Sequence, residues 1–214
     1  MADTSLAGPR PAERLSALSG HDAPGRFGAP GEPAVTLSER RGLALALLSG
    51  FPESRAAAAA AVQSVLGLAL PEAGHSTAGE GGEVLWQGPE RWLLVAPEGA
   101  DPGAGLVARL EAAVAEEPTL AVTDLGHART VIRLEGPGAR ALLAKEAPLD
   151  LAPEAFPPGA VAMTRFGHLA VTLHCRGPES LEILAFRSFG LALFEELRDR
   201  AEELGYAVAP PARG

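Results

Sequence analysis

Few groups in this chain of 214 residues combine a type and a spacing suited to chemistry. The most suggestive is Asp124-Leu125-Gly126-His127-Ala128-Arg129, because an Asp-x-x-His pair can hold an imidazole for proton transfer. It also joins two similar stretches of sequence, where a ligand could touch both. The plainer reading is favoured: Asp124 caps its turn or pairs with Arg129, and His127 is a polar loop residue. His174 and the single Cys175 have the residue types of a thiol–imidazole dyad, but neighbours on a strand point to opposite faces, which argues against nucleophilic catalysis. One cysteine closes no internal disulfide, and without a second thiol no structural zinc site is expected. His21 and His75 fall in Gly/Pro-rich loops and His168 in the tight turn Phe166-Gly167-His168-Leu169. Gly79-Glu80-Gly81-Gly82-Glu83 leads into a strand and lacks the continuation that would put backbone donors at a helix start, so it reads as a loop rather than a phosphate cradle. Trp86 and Trp92 flank a turn and read as core or subunit-interface anchors rather than a cofactor box. The residues themselves therefore predict no catalytic, cofactor-binding or metal-ligating group in this chain.

The composition agrees with a supporting role in a folded protein. Hydrophobic residues make up 47%, charged residues 21% and aromatic residues 5%, and a chain of this length buries roughly 70% of its unfolded surface around one or two cores. A net charge of −9 repels a phosphate backbone and an anionic membrane face, so neither a nucleic-acid nor a membrane partner is expected. No apolar stretch reaches the ~18 residues a membrane helix needs, and the first ten residues have neither a basic nor an apolar targeting segment. The expected compartment is the cytoplasm.

Stepping outward to the elements that would position these residues, residues 1–33 carry five Pro and five Gly and few large apolar side chains. They read as an arm, either a disordered tail or a segment docking on another chain through Leu6, Leu15, Leu18 and Phe27. Regular structure begins near Arg41. Alternation at Leu43, Leu45 and Leu47 predicts a strand, and a helix follows from Pro52 to Gly67 with an alanine run suited to close packing. Residues 84–87 and 92–96 form a hairpin around Gly88-Pro89-Glu90-Arg91, a helix runs from an Asp101 cap to about Glu116, and a strand follows at 119–125. The order then repeats: a strand at 129–134, a helix from Pro137, a hairpin of 169–175 with 181–186, a helix from Ser188, and a strand at 206–209. Equivalent points lie 86, 89 and 86 residues apart (Leu43 and Arg129, Pro89 and Pro178, Leu120 and Tyr206). The prediction is an α+β protein of two duplicated ferredoxin-like βαββαβ halves with antiparallel sheets, about 34–126 and 127–209, followed by a tail at 210–214. Residues 147–167, with a strand at 161–166, form an insertion in the second half.

Residues 85–95 (LWQGPERWLLV), 123–145 (TDLGHARTVIRLEGPGARALLAK) and 148–174 (PLDLAPEAFPPGAVAMTRFGHLAVTLH), with the aromatic-led last helix after 187–189, resemble the gamma subunit of heterotetrameric sarcosine oxidase in order and spacing. The resemblance covers about residues 35–205. Glu146-Ala147 departs from the Gly-Cys that family often carries before the proline. What the resemblance implies is a fold similar to the folate-binding domains of aminomethyltransferases, and a non-catalytic subunit of an enzyme that oxidises sarcosine to glycine. That enzyme passes the one-carbon unit to tetrahydrofolate. FAD, FMN and NAD would be held by the other chains, and the partners would be the alpha, beta and delta subunits. Trp86, Trp92, Asp124, His127, Arg129 and Phe156 are the residues expected at subunit interfaces or between the halves. A second function class stays open, a one-carbon protein that binds a folate between its own halves.

Overall fold

The computed structural model describes residues 15–99 and 105–213. Thirteen strands and four α-helices are present among them, arranged as two sheets packed face to face with helices on both outer sides. In the first half, β3 (Leu43–Ser49), β5 (Gly82–Trp86), β6 (Arg91–Pro97) and β7 (Ala121–Asp124) take the spatial order β5-β6-β3-β7, with the short β4 (Ser76–Gly79) outside β5. All pairings are antiparallel. Helices α1 (Arg55–Leu66) and α2 (Leu106–Ala113) cover one face. Proline opens the turn before α1, Gly67 closes it in the left-handed conformation, and Ala58 and Ala61 are buried against the sheet. The Asp101 cap expected for α2 lies outside the described residues, and the helix ends at Ala113 rather than near Glu116.

The second half repeats the pattern with β8 (Arg129–Glu135), α3 (Ala139–Ala144), β10 (Leu169–Gly177), β11 (Ser180–Phe186), α4 (Gly190–Ala201) and β12 (Tyr206–Val208), and β9 (Val161–Phe166) extends the edge. Its order is β1-β12-β2-β8-β11-β10-β9. Strand β2 (Val35–Arg41) is inserted between β12 and β8, antiparallel to β8 and parallel to β12, so an N-terminal strand completes the C-terminal half. The terminal β13 (Ala212–Arg213) pairs with the end of β2. A single residue, Gly42, separates β2 from β3 and turns the chain from one sheet to the other with φ +70°, a conformation that favours glycine.

Two expectations need correction. No strand was expected from residues 1–33, yet β1 (Gly25–Phe27) pairs with β12, Phe27 stacks on Tyr206 with ring centroids 5.3 Å apart, and Leu18 is completely buried in the second-half core. Proline and glycine here shape the route of an extended chain rather than prevent its packing. Phe156, in the insertion at 147–167, is expected at a subunit interface or between the halves. Leu151 and Phe156 are instead buried in the same core, because Arg140 donates to the carbonyls of both at 2.7 and 3.0 Å and holds the loop against α3.

Candidate functional site

The inner faces of the two sheets meet over Leu43, Leu45, Leu85, Leu93, Val131 and Leu184. Beside this apolar contact is a buried ionic cluster. Alternation along β2, β5, β8, β10 and β11 sends Arg40, Glu83, Arg133, His174 and Glu182 inward to it, while strand neighbours such as Val84, Ile132, Leu134, Leu173 and Leu181 face the helices. Glu182 is almost completely buried. It accepts from Arg40 at 3.0 and 3.1 Å and from Arg133 through Nε and Nη2, each at 3.0 Å. Glu83 accepts from Arg176 and, at 3.4 Å, from Arg40. Burial alone would push the Glu182 carboxyl up; His174 and the Arg40, Arg176 and Arg133 guanidinium groups outweigh it and hold the carboxyl at about 2. Such a group stays a carboxylate and does not serve as a general acid near neutral pH.

Glu83, His174 and Glu182 offer three ligand atoms within 4.8 Å of one another. The carboxylates already face three guanidinium groups, however, so a divalent cation would enter a site with more positive than negative charge. The arrangement suits an ionic clamp between the halves better than a metal centre. His174 supports the clamp through a 2.9 Å hydrogen bond between ring Nε2 and Ser76 Oγ on β4, with Nδ1 3.6 Å from Glu83. Cys175 faces away into the helix-side core and accepts from Arg140 at 3.3 Å, so the adjacent thiol and imidazole do not meet. Backbone bonds from Ser76 N to the Gly159 carbonyl, 2.8 Å, and from Val161 N to the Gly74 carbonyl, 2.7 Å, join the two halves beside the clamp.

The residues named from sequence fall in three places. Trp92 is fully buried in the first-half core and Trp86, its direct cross-strand partner, is half-buried against the same core. Phe156 lies in the second-half core. Asp124, His127 and Arg129 occupy the connector between halves. Asp124 Oδ1 accepts from Gly126 N at 2.8 Å, capping its own turn, and both Asp124 and His127 are exposed on the wall of a groove formed with Leu43, Gly99 and Leu106. Arg129 does not pair with Asp124. Its guanidinium stands 3.9 Å from the centre of the Phe186 ring, and burial lowers its pKa.

Arg40, Glu83, Arg133, Arg176 and Glu182 escaped the sequence reading. A signal was present, since charged residues sit in the middle of otherwise apolar strands such as Leu181-Glu182-Ile183 and Ile132-Arg133-Leu134. Opposite charges at facing strand positions mark a buried pair, but the facing partner is known only once the sheet order is.

Residues 79–83 carry the turn between β4 and β5, packed closely on their own chain. A Cβ at Gly81 would stand 2.6 Å from the Leu66 carbonyl, and one at Gly82 would collide with the Val95 carbonyl.

Fold and seam together define a two-half α+β protein with a glycine cleavage aminomethyltransferase-like architecture. The solved aminomethyltransferase T of the glycine cleavage system from Bartonella henselae shares that fold, with a TM-score of 0.55 and 21% identity over 79% of this chain and 49% of that one. The particular family follows from closer likenesses. The profile of the sarcosine oxidase gamma subunit family matches residues 52–203. Gamma subunits of sarcosine oxidase from Corynebacterium sp. (strain P-1) and Corynebacterium sp. (strain U-96) are 40% and 37% identical over 132 and 161 residues. These matches cover 61% and 74% of this chain. The matched stretch spans 63% of the strain P-1 relative and 60% of an Arthrobacter gamma subunit, and 75% of the strain U-96 relative. A chain in the structure of heterotetrameric sarcosine oxidase from Corynebacterium sp. U-96 in complex with pyrrole 2-carboxylate superimposes with a TM-score of 0.76 and 33% identity, covering 89% of this chain and 96% of that one. The chain belongs to the sarcosine oxidase gamma subunit family.

Proposed function

We propose that this chain is the gamma subunit of a heterotetrameric sarcosine oxidase, supporting catalysis without supplying a reacting group. The complex would oxidatively demethylate sarcosine to glycine, with oxygen as acceptor, and pass the one-carbon unit to tetrahydrofolate. FAD, FMN, NAD and the folate would be held by the alpha, beta and delta subunits, and the assembly would be cytoplasmic. The observation that carries this reading is the 96% coverage of a chain from the heterotetrameric enzyme at 33% identity. The ionic clamp supports it, because Glu182, the most deeply buried carboxylate among the described residues, is committed to arginines. It also weighs against a folate lying between the halves of this chain alone, since the centre of that seam is filled by leucine, valine and ion pairs. Among the described residues no helix is long and apolar enough to cross a membrane.

The test is co-expression with alpha, beta and delta subunits of a sarcosine oxidase. The chain is expected to co-purify in a fixed ratio with flavin-bearing partners, and to be colourless when purified alone. Failure to join them, or stoichiometric flavin absorbance in the isolated chain, overturns the proposal.

A further inference from the structure

One surface beside the seam joins features that an isolated acidic protein would ordinarily separate. At the connector, β8 begins with Arg129, whose cross-strand partner is Phe186 at the end of β11. Phe186 is 46% exposed under the Arg129 guanidinium, Phe189 in the same following turn is 45% exposed, and Leu15 is 58% exposed. Arg187 Nη2 donates to the Leu15 carbonyl and its backbone N–H donates to the Ala128 carbonyl at 2.9 Å, so the N-terminal segment, the connector and this turn form one surface. Leu15, Arg129 and Arg187 also line a cavity of about 160 Å³ that reaches to Leu43 and Val131 at the seam.

The charges on this surface are unbalanced. Arg40 is engaged by Glu83 and Glu182, and Arg41 by Asp22 and Glu39. Arg129 and Arg187 have no carboxylate partner among the described residues, although the chain carries a net charge of −9 and acidic groups are abundant. Half-burying a guanidinium without a counter-ion is costly, and arginine together with exposed aromatic side chains is the composition of interface hot spots.

Resting on the oxidase-subunit reading, we infer that this surface docks another subunit of the complex, which places an Asp or Glu carboxylate between Arg129 and Arg187 and apolar side chains against Leu15, Phe186 and Phe189. The planar guanidinium groups offer paired donors that match a carboxylate, and the aromatic rings exclude water around the pair. The 160 Å³ cavity gives one side chain room to enter at the seam.

The experiment uses the full chain co-expressed with the other three subunits. Doubly reversing the charge, Arg129→Glu with Arg187→Glu, should weaken recovery of the chain with its partners by more than about 30-fold, as loss of an interface hot spot does. Arg129→Lys with Arg187→Lys should restore part of the binding, and the wild-type assembly should loosen as salt is raised. A second measurement needs no charge change: benzoyl-phenylalanine placed at Phe189 should photo-crosslink to another subunit. Undiminished assembly of the reversed variant, or crosslinks only within this chain, overturns the docking surface while leaving the oxidase-subunit reading intact. A wild-type chain that joins no partner overturns both.

Discussion

The first half closes its sheet with its own strands, in the order expected of a ferredoxin-like unit, whereas the second half has the same order interrupted by β2 and edged by β1. The difference is visible in the cores. The first is built from α1, α2 and β3–β7 around Trp92, and the second draws Leu18, Val35 and Leu37 from the start of the chain to meet Phe194, Leu197 and Tyr206 near its end. A duplicated unit can therefore keep its internal pairings and still lose its independence, because one foreign strand makes the N-terminal segment a structural part of the C-terminal half.

Removing residues 1–33 should break this asymmetry with the largest effect. Loss of Leu18, which alone is worth about 2–5 kcal/mol when truncated in a core, comes with loss of β1 and of the Phe27–Tyr206 stack. The second half is expected to melt well before the first, read as two transitions in calorimetry or as lost amide protection confined to β8–β12. A single unshifted melt would restore the picture of a dispensable arm. Glu182→Ala tests what the halves share. It leaves Arg40 buried beside one remaining partner, and breaking a buried ion pair typically costs about 3–5 kcal/mol. Both halves should lose stability together; a loss confined to the second would show that the clamp does not couple them.

Trp92→Ala addresses the first half alone and should cost about 3–5 kcal/mol. Trp92→Phe should cost much less, because the indole Nε1 is buried without a hydrogen-bond partner and its removal abandons none. Urea midpoints of the two variants decide this. Acid provides a milder probe of the clamp. The Glu182 pKa falls from 4.5 in the unfolded chain to about 2 in the folded one, so the unfolded state binds the extra proton. The stabilisation, about 3 kcal/mol from a shift of this size, is complete above pH 4.5 and drains away as pH falls towards 2. Glu182→Gln should flatten that part of a stability–pH curve. The smallest effect belongs to the connector: His127→Ala should leave turnover of the proposed oxidase complex within about tenfold, since loss of a positioned acid or base costs ~10²–10⁴.

Much of this architecture can be read from residue order, for local reasons. Alternation at Leu43–Leu47, the proline and glycine bounding α1, and the two Gly-Pro-Glu turns each depend on residues a few positions apart. The insertion of β2 depends on residues nearly a hundred positions from β8 and farther still from β12, and nothing in Val35–Arg41 names its partners. The last helix shows the same limit on a smaller scale. Phe189 extends its apolar stripe in the sequence, but a 3-10 turn rotates that residue to the surface and Phe194 enters the core instead. The ionic clamp is marked in sequence only by lone charges within apolar strands, and its pairing stays hidden because five strands from both halves contribute and each carries only one or two of its charges.

The placement of β2 also sets a schedule for biosynthesis. Residues 35–41 leave the ribosome among the first of the described chain, yet β12, their parallel neighbour, is made roughly 170 residues later, a wait of about 10–30 s at elongation rates of about 5–20 residues per second. The first half can close during that interval, with Gly42 as the swivel from which β2 trails. Until β12 is made, Val35 and Leu37 belong to a strand with one unpaired edge even after β8 has joined the other, the kind of segment that chaperones cover and that neighbouring nascent chains capture. The second-half sheet thus reaches its final strand order only after β12 has been made.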